Sequence, residues 1–240
     1  FHGQIDVILL SFFVWSMIYL FQKKATAKNW LIGTVLYAFS IAAKTWSVIF
    51  LPYMLYNEKS WIKRILLPIA VIFILMVDIF IYTRTVDGSS FRTVLPAVAK
   101  PGGPVGIWGI SLFFSPYSSW LQKYNLHFFA VSFGLLSACV IWMRHSLWKS
   151  IFLLVLGVYL VLPNWGIQYL FWCLPFVYLA ELDSRKIFIL FTITASFYAF
   201  TTYALLSQGI VLPTYVSPSL GVIVWAVVAF WWGKELKNVL

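Results

Sequence analysis

Three small polar clusters interrupt a chain that is otherwise almost hydrocarbon. The first is HGQID at the start, where His2, Gln4 and Asp6 precede an apolar helix. The second is Lys44, alone between the apolar runs 30–43 and 45–56. The third is PNWGIQY, which carries Gln168 and Tyr169. Arg84 and Arg92 lie in a long mixed stretch, 83–125, with Gly, Pro and Ser. A carboxylate can accept a proton. Ammonium and guanidinium groups pair with phosphate. Amide and phenol groups hold hydroxyls. Near a bilayer each is costly unless it sits at the edge or lines a wet cavity. The residue types therefore point to chemistry at a membrane surface, and the elements that carry them must be membrane helices.

Composition requires this. Of 240 residues, 62% are hydrophobic and 10% charged, and the mean hydropathy is +0.90. A soluble domain is roughly 45–50% apolar and about 25% charged. No soluble core hides this much apolar surface. The fold class expected is all-α, a multi-pass transmembrane helical protein forming one integral membrane domain over residues 1–240. The net charge is +10. No basic run is dense enough to track a phosphate backbone, so nucleic acid is not an expected partner. Cys139 and Cys173 lie in apolar runs and read as small buried residues. His2, His127 and His145 are scattered, and no metal-ligand spacing occurs. Neither a metal nor another cofactor is expected. Phe1 follows no charged n-region, so the first apolar run is not read as a signal peptide. The expectation is a piece of a longer chain, cut at its N-terminus, with its first helices and first outer loop missing.

A spanning helix needs about 20 apolar residues. Residues 5–21, 65–82, 126–143 and 187–206 meet this, and 220–232 is read as a further span before the polar tail GKELKNVL. Shorter pieces pair as hairpins: 30–43 with 45–56 across Lys44, and 150–162 with 169–180 across PNWGIQ. The pattern predicts about eight membrane segments, several of them short. Charge sets the orientation. Twelve of the 17 basic residues fall on one side: Lys23, Lys24, Lys28, Lys59, Lys63, Arg64, Arg144, Lys149, Arg185, Lys186, Lys234 and Lys237. Lys44, Arg84, Arg92, Lys100 and Lys123 fall on the other. This is a positive-inside bias. It puts His2, Gln4, Asp6, Lys44, Gln168 and Tyr169 together on the outer or lumenal face. No internal repeat is visible.

The three clusters resemble a known set of motifs. HGQID at a helix start resembles the GQ-x-D motif of polyprenyl-phosphate-sugar-dependent glycosyltransferases of the GT-C superfamily. The nearest likeness is to the mannosyltransferase-like branch related to GPI mannosyltransferases. AFSIAAK followed by FLPYML resembles that family's helix ending in Lys and the short helix after it. NWGIQYLFWCLPF resembles its Gln-Tyr or Arg-Tyr pair before an aromatic run and Leu-Pro. The likeness covers the chain to about residue 180.

The resemblance implies transfer of a hexose, most often mannose, from a polyprenyl-phosphate donor to a lipid or glycan acceptor. Such enzymes invert the anomeric carbon without a metal. The catalytic acid is expected upstream of Phe1. Lys44 is the expected phosphate partner, with Arg84 and Arg92 as rivals. His2, Gln4, Asp6, Gln168 and Tyr169 are the expected substrate-binding residues. Simpler roles compete. Lys44 could snorkel as a helix end, Asp6 could cap a helix N-terminus, and Tyr169 could belong to an aromatic belt. Two other functions compete as well. One is a transporter or flippase of lipid-linked sugars, for which broken midplane helices and repeats are the signature. The other is a non-catalytic assembly subunit. The expected location is integral to a membrane, the plasma (inner) membrane in a prokaryote and the endoplasmic reticulum in a eukaryote.

Overall fold

The computed structural model describes residues 2–22, 26–43, 45–86, 90, 92, 110–113, 118–163, 169, 172–182, 184–204, 208–209 and 216–237. Every element among them is helical. Among the described residues three helices are long and apolar enough to cross a membrane: Trp61–Thr85, Ser119–Trp142 and Pro218–Lys237. Two shorter apolar helices are Asp6–Phe21 and Leu147–Val161. The chain divides into two compact units, Phe1–Lys100 and Pro101–Leu240.

The first unit contains α1 (His2–Phe21), α2 (Ala27–Ala43), a 3₁₀ turn (Thr45–Phe50), α3 (Leu51–Asn57) and α4 (Trp61–Thr85). On α1 the buried residues Asp6, Leu9, Phe13, Met17 and Leu20 recur at intervals of three and four. That spacing draws one stripe down a helix. The stripe packs on α2, antiparallel to it. Leu20 lies against Gly33, where an added Cβ would meet the Leu20 Cγ at 2.7 Å. Further along, Phe13 meets Tyr37 at 6.2 Å between ring centres, and Phe12 meets Phe39 at 5.9 Å. Gly33 is thus the residue that lets the two backbones approach.

After α2 the chain turns back. Trp46 and Phe50 return to the level of Phe13, at 6.2 and 4.7 Å between ring centres. Pro52 starts α3, where its missing N–H costs nothing. The Arg64 guanidinium donates to the Glu58 and Tyr56 carbonyls at 2.6 and 3.4 Å and ties α3 to α4. Lys63, in the first turn of α4, stands 6.0 Å over the Trp30 ring near the start of α2. The broken leg 45–57 has therefore brought the chain back to the end where α2 began. Most of α4 is exposed, as a lipid-facing helix is. The helix runs on to Thr85, so Asp78 lies about 10 Å inside that end, on an exposed face.

The second unit contains α5 (Ile110–Phe113), α6 (Ser118–Trp142), α7 (Leu147–Val161), α8 (Leu174–Leu179), α9 (Arg185–Ala199) with a π-helical extension (Phe200–Ala204), and α10 (Val216–Lys237). α6 starts eight residues before the expected span. Its backbone leaves helical values at Tyr124 (φ −113°, ψ 18°), where the polar lead-in meets the apolar stretch. In α7 every residue from Ser150 to Val161 is buried. A helix apolar all round belongs in an interior. α10 runs antiparallel beside it. The Trp225 and Trp232 indoles donate to the Leu160 and Leu153 carbonyls at 3.0 and 3.1 Å.

The same register ends on a charge pair. The segment GKELKNVL was expected to be a polar tail. Its first residues instead form the last turns of α10, and Glu235 is buried. Lys149 Nζ lies 3.7 Å from Glu235 Oε2, and the Ser184 hydroxyl donates to Oε1. Each charge sits at the wrong end of its own helix, an acid at a C-terminus and a cation at an N-terminus. Together they cancel the two mismatches. His145 is next to the pair. Burial and the Lys149 charge hold its imidazole below the usual value, against an opposing pull from Glu235.

Removing one partner of a buried ion pair costs about 3–5 kcal/mol, whereas replacing both with apolar residues is often neutral. Glu235→Ala is expected to lower the thermal midpoint in detergent far more than the double change Lys149→Met with Glu235→Leu; equal losses would refute the pair's role. Because His145 binds its proton more weakly folded than unfolded, its contribution is present above about pH 6.5 and is lost as pH falls through that value. The midpoint measured from about pH 7.5 down to 5.5 should therefore fall less steeply in His145→Gln than in the wild type.

Candidate functional site

Of the polar residues singled out in the sequence, the side chains of Asp6, Arg84 and Arg92 are described in the first unit and that of Tyr169 in the second. In the first unit the central one is Asp6. α1 begins at His2, so Asp6 stands a full turn inside the helix rather than at its cap. The dipole effect that favours an N-terminal carboxylate fades within one turn. Asp6 is only 4% exposed and is the outermost member of the buried stripe of α1. The α1–α2 register carries it to the level of the end of α2, where Ala43 precedes the turn. An ionisable side chain buried in an apolar helix is a functional candidate by default. His2 and Gln4 stand in the first turn of α1 by backbone, and their side chains lie outside the described residues. Lys44, between α2 and the 3₁₀ turn, also lies outside them.

An aromatic plug floors this region. Phe13 is fully buried and touches the rings of Tyr37, Trp46 and Phe50. Trp46 meets Phe50 edge-on at 5.3 Å. Above the plug the Tyr37 hydroxyl donates to the Ser47 carbonyl at 2.9 Å. Sequence reasoning passed over this tyrosine. The available signal was a Tyr in the middle of an apolar helix rather than at its end, where belts form.

Arg84 belongs to the far end of α4, and Arg92 lies beyond that helix. Arg84 is exposed and covers the Phe80 ring at 5.2 Å. It lines an open cavity of about 430 Å³ with Met76, Phe80, Thr83 and Ser90. Arg92 is exposed.

In the second unit Tyr169 is half-buried and packs on Trp172 at 4.3 Å between ring centres. Gln168 lies outside the described residues. The Tyr159 hydroxyl donates to the Tyr169 carbonyl, and the Tyr159 hydroxyl oxygen accepts the Cys173 N–H at 3.0 Å. Tyr159 is fully buried in α7, and sequence reasoning missed it for the same reason as Tyr37. Cys139 and Cys173 are both free thiols. An open, aromatic-lined cavity of about 630 Å³ lies along α6, with Trp120, Tyr124, His127 and Phe128 in its wall. Among the described residues no group of three His, Cys, Asp or Glu side chains could hold a metal.

Fold and site together define a class: an all-helical chain with helices fit to cross a membrane and a carboxylate buried in one apolar helix. Protein-family models, curated proteins and solved structures were compared with the chain, and none matches it.

Phe→Ala in a core costs about 3–5 kcal/mol. Phe13→Ala is expected to lower the thermal midpoint strongly and to increase proteolysis in residues 45–57, while Phe13→Leu does much less. A midpoint indistinguishable from wild type would remove the plug from the support of this region.

Proposed function

We propose that the chain is the membrane domain of a glycosyltransferase that moves a hexose, mannose by preference, from a polyprenyl-phosphate donor to an acceptor hydroxyl on the outer or lumenal face. The carrying observation is the burial of Asp6 inside α1, at the residue that the GQID motif assigns to the site. In the reaction the acceptor oxygen attacks the anomeric carbon, and its proton passes to a carboxylate base. The bond from that carbon to the phosphate oxygen breaks, and the electron pair leaves with the polyprenyl phosphate. Charge grows on that phosphate in the transition state, so a fixed cation there lowers the barrier. Lys44 takes this role, with Arg84 and Arg92 as the further cations of the outer loop. Asp6 holds a hydroxyl or orients the base. His2, Gln4, Gln168 and Tyr169 hold sugar or acceptor hydroxyls. The reaction uses neither metal nor cofactor.

The protein on this reading is multi-pass, with about eight membrane segments. It sits in the plasma (inner) membrane of a prokaryote or the endoplasmic reticulum of a eukaryote. Its partners are the donor, a lipid or glycan acceptor, and membrane lipids. The broken leg 45–57 and the short helix Leu174–Leu179 suit a lipid-linked donor, because short helices leave room for a prenyl tail to enter sideways.

The test uses membranes expressing the complete gene, with labelled polyprenyl-phosphate mannose and its glucose counterpart. Formation of a glycosidic bond is expected. Lys44→Ala should lower transfer about 10²–10³-fold, the usual loss for one transition-state contact, with normal insertion. Asp6→Asn should also lower it. Movement of the labelled lipid across the membrane without bond formation would identify a flippase instead. Neither activity would leave an assembly subunit.

A further inference from the structure

Each unit contains one copy of the same local design. In the first, Tyr37 of α2 donates to the carbonyl of residue 47, ten residues on. In the second, Tyr159 of α7 donates to the carbonyl of residue 169, also ten residues on. A short helix comes next in both, opening Leu51–Pro52 or Leu174–Pro175, with proline in its first turn and the preceding residue in a helical conformation. A turn then contains Glu58 or Glu181, and Ser60 or Ser184 precedes the next helix. An antiparallel helix comes before each copy: α1 before α2, and α6 before α7. The spacing from the tyrosine to Leu-Pro differs by one residue, and the intervening residues share little. A search for sequence similarity passes over such a repeat.

The shared part answers one physical need. Where a helix breaks, backbone carbonyls and N–H groups lose their i→i±4 partners. In apolar surroundings they must find others. Both tyrosines are fully buried, so neither hydroxyl can turn to bulk water. Tyr37 satisfies one carbonyl of the returning leg. Tyr159 satisfies one carbonyl and, through its oxygen, the N–H of Cys173 at 3.0 Å. Each bond fixes the returning leg against the helix it has just left. Between tyrosine and acceptor the first copy carries Lys44 and the second ends on Gln168 and Tyr169.

We propose that Tyr37 and Tyr159 are positioning residues of one kind, each pinning the returning leg of its own unit, at residue 47 in the first and at residues 169 and 173 in the second. On the glycosyltransferase reading, on which this assignment of ligands rests, Tyr37 places the turn that meets the donor phosphate. Tyr159 places the turn that meets the sugar. Neither tyrosine touches the reacting atoms.

The pin is tested without activity. In the Cys139→Ala background the buried Cys173 reports on the second turn, and Ser47→Cys reports on the first. Tyr159→Phe should raise maleimide labelling of Cys173 at least tenfold in native membranes, and Tyr37→Phe should do the same for Ser47→Cys, with the thermal midpoint nearly unchanged. Unchanged labelling in both would overturn the proposal. Hydrogen exchange on the wild type gives a second reading that needs no variant: the Cys173 amide should be protected, and rapid exchange there would also overturn it. The functional half is read as a split. Tyr37→Phe should raise KM for the polyprenyl-phosphate donor at least fivefold with kcat nearly kept. Tyr159→Phe should lower kcat and blur the choice between mannose and glucose. Equal, parallel losses in both variants would overturn the division of roles. Increased labelling in a protein that transfers no sugar even as wild type would uphold the pins and discard the glycosyltransferase reading.

Discussion

The constraint on which the molecule depends is that a polar backbone cannot go unsatisfied in apolar surroundings. A continuous helix meets it alone. This chain breaks its helices after Ala43 and after Val161, and each break exposes groups that water cannot reach. The solutions are side chains built into the preceding helix. Tyr37 and Tyr159 supply hydroxyls, and the neighbouring aromatic rings exclude solvent around them. The packing of α1 on α2, with Phe13 against the returning leg, serves the same end. Loss of that close contact would leave the 3₁₀ turn without a wall.

The two units place a carboxylate in a buried stripe, with different results. On α10 the stripe Val224, Val228, Trp231 ends at Glu235, and its partners are Lys149 and the Ser184 hydroxyl. That acid joins the start of α7, the start of α9 and the end of α10. It reads as architecture. On α1 the stripe includes Asp6, which the α1–α2 register sets level with the end of α2. The same pattern of spacing yields a structural tie in one unit and a candidate for chemistry in the other. The difference lies in the neighbours rather than in the acid.

Much of this was legible in the sequence. The helical class follows from composition, and the span of α4 follows from its unbroken apolar run. The burial of Asp6 was not legible, because α1 is apolar on every face and Val7, Ile8, Trp15 and Ile18 are as apolar as the buried Leu9, Phe13, Met17 and Leu20. Two further things were not legible. Glu235 lay in a segment with four polar residues in five, and only the approach of Lys149 and Ser184 from distant stretches makes burial of that acid tolerable. The tyrosine pins were hidden because a Tyr in an apolar run looks like filler. Its role depends on where a carbonyl ten residues later comes to rest, and turn geometry decides that.

The seam between α7 and α10 has a consequence for how the protein is made. Synthesis is vectorial, and α10 emerges long after α7. Until then α7 has neither Glu235 beside Lys149 nor an indole on its Leu153 and Leu160 carbonyls. α10 therefore acts as a latch on α7, supplying the acid and both indoles after α7 has been made.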